Sequence, residues 1–215
     1  MTRFGWFFVA LAAALGVLFG WVRIRHESGA ASARAIVNEP EKHLVTTIML
    51  KTAASMASQD APLVSAPAND GNIYSLDGLV KQGPIALVFI KDGCPCSEAA
   101  QPYYNQLCDA YGERVRFFGV IDGDVEVAKR WAIKNRARFP LLCDPSLQIA
   151  HHFKAENSAY LALVAKGGKI EECWPGYSGK MLDDACVRLA QLAGIARKTI
   201  DVKNAPDEMY TGCPF

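Results

Sequence analysis

Ile85-Ala86-Leu87-Val88-Phe89-Ile90-Lys91-Asp92-Gly93-Cys94-Pro95-Cys96-Ser97 is the stretch on which the reading of this chain turns. Its first part, Ile85 to Ile90, is an unbroken apolar run between Gly83-Pro84 and Asp92-Gly93, as expected of a strand buried on both faces of a sheet. Beyond it, Tyr104, Leu107, Cys108 and Tyr111 recur at helical spacing until Gly112, which predicts a helix starting just after Cys94. A strand that hands a cysteine to the start of a helix sets the thiol near unpaired backbone N–H groups and the positive end of the helix dipole. Both favour thiolate over thiol, so Cys94 is the candidate nucleophile.

Further along the chain the same alternation continues. Val115 to Ile121 reads as a strand, and Asp124 then caps a helix with Val127, Ala128 and Trp131 on one face. Phe139 to Cys143 is a short strand, and Ser146 opens a brief helix with Leu147 and Ala150 inward. Tyr160 to Ala165 and Lys169 to Trp174 form a hairpin across Gly167-Gly168, and a last helix runs from about Gly179 to Ala193. The expected fold is α/β, a mixed central sheet with helices on both faces.

Upstream, the texture changes at Ala61-Pro62-Leu63-Val64, so the folded domain is expected over 61–195, with a tail over 196–215. Residues 27–60 are rich in Ala, Ser and Thr and read as a linker, a flexible tether or a loosely helical stalk; His26 and His43 within it are isolated and receive no role. Residues 1–26 carry the apolar run from Phe4 to Val22, close to the roughly 20 residues a helix needs to cross a bilayer. Trp6 and Trp21 near its ends and the closing Arg23 and Arg25 fit a single-pass anchor. A cleaved signal peptide is the competing reading, since Ala31-Ser32-Ala33 has the pattern of a cleavage site. Arg23, Arg25 and Arg34 outweigh Arg3 and lean toward a cytoplasmic domain.

The net charge of +1 over 215 residues leaves no basic excess for a nucleic-acid partner. Of the seven cysteines, Cys108 and Cys186 fall on apolar helix positions and Cys143 and Cys173 on strands, where a thiol serves as a small buried hydrophobe.

The chain from about Ala61 to Gly194 resembles the redoxin group of the thioredoxin fold, which includes thiol-disulfide oxidoreductases and the alkyl hydroperoxide reductase and thiol-specific antioxidant family. The resemblance lies in the Ala61-Pro62 lead-in and in the register of Cys94, five residues after Phe89 and eight before Pro102. It also lies in Phe139-Pro140-Leu141-Leu142-Cys143-Asp144-Pro145 and in the turn Lys166-Gly167-Gly168-Lys169-Ile170. It implies a thioredoxin-like fold and a thiol-based oxidoreductase in which Cys94 attacks a thiol/disulfide protein or a peroxide. An unidentified electron donor would restore the site, and no cofactor is implied. Anchored members of the group usually hold the domain outside the cytoplasm, which favours an extracytoplasmic domain against the charge count.

Three departures bear on activity. The usual CxxC is here Cys94-Pro95-Cys96-Ser97, so the nearest second thiol is Cys96, and a disulfide closing so small a ring is expected to be strained and oxidising. Cys213, in a tail expected to be mobile, is the possible remote resolving thiol. The substrate loop that carries a cis-proline in the family corresponds to Ser158-Ala159, where a trans peptide is expected. The threonine expected before the cysteine is replaced by Lys91, and the arginine expected on the hairpin is missing. Two further readings stay open: a domain that binds or carries copper(I) through its two thiolates, with His151 and His152 as remote recruits, and a degenerate scaffold.

Overall fold

The computed structural model describes residues 43–215. The expected anchor and the first part of the linker, 27–42, lie outside the described residues; among those described, no helix is long and apolar enough to cross a membrane.

The elements in order are α1 (Thr47–Ala54), β1 (Ser65–Pro67), β2 (Ile73–Ser75), α2 (Leu76–Gln82), β3 (Ile85–Ile90), α3 (Pro95–Tyr111) and β4 (Arg116–Ile121). They continue with α4 (Val125–Asn135), β5 (Leu141–Cys143), α5 (Gln148–His152), β6 (Tyr160–Val164), β7 (Ile170–Trp174) and α6 (Gly179–Ala193). The main sheet has the order β5-β4-β3-β6-β7. Strand β3 runs parallel to β4 and antiparallel to β6, so the sheet is mixed and β3 is its central strand.

Side-chain alternation along β3 divides the core in two. Ala86, Val88 and Ile90 face one cluster, filled by Ala100, Tyr104 and Leu107 of α3, Trp131 of α4 and Leu182, Ala185 and Leu189 of α6. Ile85, Leu87 and Phe89 face the other, filled by Ala53 of α1, Leu76 and Leu79 of α2, and Ile149 and Ala150 of α5. Each buried large apolar side chain is worth about 1.5–3 kcal/mol relative to exposure, which is why the strand tolerates no polar residue on either face.

Helix α1 stands within the stretch read as linker. The Thr46 side chain caps it by accepting the Met49 N–H at 3.3 Å, and the wholly buried Met56 just beyond it seals it to the second cluster. The expected brief helix begins two residues later than Ser146, at Gln148. The Asp144 carbonyl takes the Leu147 N–H at 2.9 Å and its carboxylate takes the Ala150 N–H at 2.9 Å, so 144–147 are spent on a turn and Leu147 is half-buried. Cys108 is likewise only half-buried, with Sγ 3.8 Å from the Arg138 carbonyl oxygen; Cys143, Cys173 and Cys186 are buried.

The segment after α6 is not a loose tail. Tyr210 exchanges both backbone hydrogen bonds with Tyr177 at 2.8 and 2.9 Å, and Thr211 donates to the His43 carbonyl at 2.6 Å. Gly212 donates to Ser158 at 2.9 Å, Ser158 donates back to Cys213 at 3.0 Å, and Phe215 donates to Glu156 at 3.0 Å. Residues 209–215 form a strap laid across the end of the sheet. Glycine is required where it is tightest: a Cβ on Gly212 would collide with Ser158, and one on Gly176 with the Tyr210 backbone and Val45.

Candidate active site

Strand β3 ends at Ile90, and Lys91-Asp92-Gly93 turns the chain so that Cys94 becomes the N-cap residue of α3, with Pro95 in the first helical turn. Gly93 supplies the positive φ, +74°, that this turn needs. The loop is tied down by a carboxylate on the next strand's end: Asp122 accepts the Asp92 N–H at 2.8 Å and pairs with the Lys91 ammonium at 3.0 Å. Lys91, standing where a threonine was expected, is therefore spent on Asp122 and on the Phe215 ring, whose centroid lies 6.0 Å away. Ser97, which replaces the usual second cysteine, is buried and accepts the Lys91 N–H at 3.2 Å, so it serves the loop.

Cys94 is 1% exposed. It stands at the helix start as expected, but its side chain makes no capping bond to the helix's own N–H groups, and its hydrogen-bond donors come from elsewhere. The Cys213 backbone N–H reaches Sγ at 3.1 Å and the Ser158 hydroxyl at 3.3 Å. The thiol of Cys96 also donates to it, and this is the largest of the effects that hold the Cys94 thiol well below its ordinary range; burial opposes them, and the Cys213 thiol, the Ser158 hydroxyl and the Cys213 N–H add to them. Cys96 and Cys213, by contrast, keep their own protons. Cys96 is pushed up, first by its hydrogen bond to Cys94 and then by burial. Cys213 is pushed up to about 11, first by burial and then by its bond to Cys94. The site is thus a buried sulfur, held toward its thiolate form, with the Cys213 N–H and the Ser158 hydroxyl as donors and the thiols of Cys96 and Cys213 beside it.

The structure brings together Cys94, Cys96, Cys213 and Ser158. Ala159 takes a different part. There is no cis peptide among the described residues, and Ala159 sits at φ +56°, a left-handed conformation that costs a non-glycine residue about 1–2 kcal/mol. Two bonds hold it: its N–H donates to the Phe89 carbonyl at 2.9 Å, and the Tyr104 hydroxyl donates to its own carbonyl at 2.9 Å. The turn so made aims Ser158 at the sulfur.

One residue of the site was given no role in the sequence. The Nδ1 atom of His43 lies 3.4 Å from Cys96 Sγ. The available signal was indirect, namely the Thr46 cap and the apolar Ile48 and Met49 after it, which mark structure beginning near His43. No three His, Cys, Asp or Glu side chains converge on a metal-holding geometry among the described residues. His152 instead lies with Nε2 3.2 Å from the Asp60 carbonyl oxygen.

Compared with known proteins, residues 57–176 match the sequence model of the AhpC/TSA family. No curated protein matches the chain. Among solved structures, the chain is similar to the bacterioferritin comigratory protein of Xanthomonas campestris, with 17% identity over 64% of this chain and 99% of that one and a TM-score of 0.56. It is similar to a secreted disulfide oxidoreductase of Mycobacterium tuberculosis, with 20% identity, coverage of 60% and 96%, and a TM-score of 0.52. The thioredoxin domain of a thiol-disulfide oxidoreductase from Bacteroides vulgatus is a third, with 19% identity, coverage of 61% and 96%, and a TM-score of 0.53. At these identities the likeness is one of fold. His43 and Cys213 both lie outside the matched segment.

Proposed function

The chain belongs to the AhpC/TSA family, and from that premise we propose that it is a thiol-based oxidoreductase whose nucleophile is Cys94. The observation that carries the reading is the convergence of donors from the 157–159 turn, the strap and Cys96 on a single buried sulfur. A thiolate stabilised in this way attacks an electrophilic sulfur or oxygen. On a disulfide it forms a mixed disulfide and releases a thiolate; on a peroxide it forms a sulfenic acid and releases an alkoxide or hydroxide that takes up a proton. A second thiol then attacks Cys94 Sγ, closing an internal disulfide, and a dithiol donor reduces it. Cys96 and Cys213 both stand within reach as that second thiol. Stabilising the reduced form by its thiolate makes the disulfide form a stronger oxidant.

The apolar run from Phe4 to Val22 supports a single-pass anchor, with the domain held outside the cytoplasm by analogy with anchored members of the group. The activity is tested by equilibrating the full chain across a glutathione redox series and mapping cysteine pairs by mass spectrometry. A reversible pair that includes Cys94 is the expected result. If Cys94 stays unpaired at every potential and titrates as an ordinary thiol, the reading is wrong.

A further inference from the structure

Any resolving step meets a difficulty set by the same network that activates Cys94. A thiol that donates its proton to a thiolate is a poor nucleophile, and Cys96 is held protonated by that bond and by burial. Once Cys94 is bonded to substrate the acceptor is gone, and the Cys96 proton needs somewhere to go. The titratable groups around Cys96 are Cys94 on the same turn, Cys213 on the strap, Tyr177 at the end of the loop after β7, and His43. Tyr177 is held protonated, to about 12, chiefly by burial, and its neutral phenol takes no proton from a thiol near neutrality.

Resting on the oxidoreductase reading, we propose that His43 is the general base of the resolving step and that Cys96 is the resolving thiol. Among the described residues, the ring nitrogen Nδ1 at 3.4 Å from Sγ is the base that lies beside Cys96 and can accept its proton in the neutral form. Its position is fixed through the backbone: the His43 carbonyl accepts the Thr211 N–H at 2.6 Å and the Val45 N–H bonds Met209 at 2.9 Å, so the strap that supplies the Cys213 N–H to Cys94 also seats the imidazole beside Cys96. In the tautomer with its proton on Nε2, His43 removes the Cys96 proton as Sγ attacks Cys94. The Cys94–Cys96 S–S bond forms, and the bond from Cys94 to the bound thiol or hydroxyl breaks. The departing thiolate or hydroxide takes the proton from Nδ1 and leaves as a thiol or water, so the disulfide is closed with no charge left over.

The test follows the full chain after mixing with glutathione disulfide, quenching in acid and resolving by mass the glutathionylated form from the internal disulfide. In His43→Gln, which keeps polarity but cannot hold the proton at neutral pH, glutathionylation of Cys94 proceeds at the wild-type rate. Conversion to the Cys94–Cys96 disulfide slows by roughly 10²-fold, and free imidazole restores it in His43→Ala. Equal conversion rates in His43→Gln and wild type overturn the proposal, as does slowing of both steps together without rescue by imidazole, which marks a structural role. An internal pair of Cys94 with Cys213 in the wild type also overturns it while leaving the oxidoreductase reading intact. Glutathionylation of Cys94 with no internal disulfide in the wild type likewise overturns only the resolving step, whereas failure of Cys94 to react with glutathione disulfide at all removes the oxidoreductase reading itself.

Discussion

Two regions meet at Cys94, and they are built by different rules. Strand β3 and helix α3 are regular elements whose side chains lie in two large apolar clusters, so their placement follows from burial. The segment from His43 to Val45 and the strap from Met209 to Phe215 touch those clusters only at their edges, through Met209, Tyr210 and Phe215, and are held mainly by backbone hydrogen bonds to each other, to Tyr177 and to the turn at Ser158. The first region supplies Cys94, the proposed nucleophile. The second supplies its backbone donor and the imidazole beside its neighbour. The comparison teaches that the fold and the reactivity have separate supports, and that damage to one should spare the other.

The largest test of that separation is Cys94→Ser. It should bring disulfide or peroxide turnover to background while the denaturation midpoint shifts by less than that of a core truncation such as Leu107→Ala, which costs about 2–5 kcal/mol. A residual rate in Cys94→Ser that matches wild type would assign the nucleophile elsewhere.

Gly212→Val attacks the second region alone. The added side chain collides with the Ser158 turn, so the strap must lift. The expected outcome is a rise of about tenfold or more in the rate at which iodoacetamide labels Cys94, with a stability loss of about 2 kcal/mol, within the range of single substitutions that force a local backbone shift. Unchanged labelling would mean that the strap does not gate the sulfur.

The smallest expected effect is on pH dependence. A thiol whose folded pKa is lowered contributes stability that is fully present above its unfolded value, near 8.5, and is lost as pH falls toward the folded one. Stability supplied by Cys94 therefore declines as pH falls from about 8 toward about 3, the value to which its thiol is lowered, and Cys94→Ser should flatten that slope in chemical denaturation. Cys96, pushed up, contributes in the opposite sense above pH 8.5, where its stabilisation is lost as pH rises. Ser158→Ala removes one donor to the thiolate and should move its ultraviolet absorbance transition to higher pH, leaving the fold in place.

The same contrast explains what the sequence shows. A run such as Ile85 to Ile90 has one good solution, a buried strand, and a cysteine right after it on a helix start is legible from spacing alone. The last helix could be bounded because Ser178 and Gly194 punctuate a clear apolar face. His43 could not be read in this way. It lies 53 residues from Cys96 in an Ala-, Ser- and Thr-rich stretch, and what brings it there is main-chain pairing with Tyr210 and Thr211, which leaves no side-chain periodicity. Cys213 was visible as a candidate, but its backbone N–H, the atom that reaches Cys94, belongs to every residue type except proline and carries no signal. The Ser158-Ala159 turn is an intermediate case: the missing proline was plain, whereas the left-handed backbone at Ala159 depends on the Tyr104 hydroxyl arriving from α3.

The strap is held by main-chain bonds and by the partly buried Met209, Tyr210 and Phe215 at the edges of the two clusters, so its local stability lies below that of the sheet, whose side chains fill them. On warming, it should let go well before the sheet does. The protein would then keep its shape while Cys94 gains a proton and His43 drifts from Cys96, so its chemistry has a ceiling temperature below that of its fold.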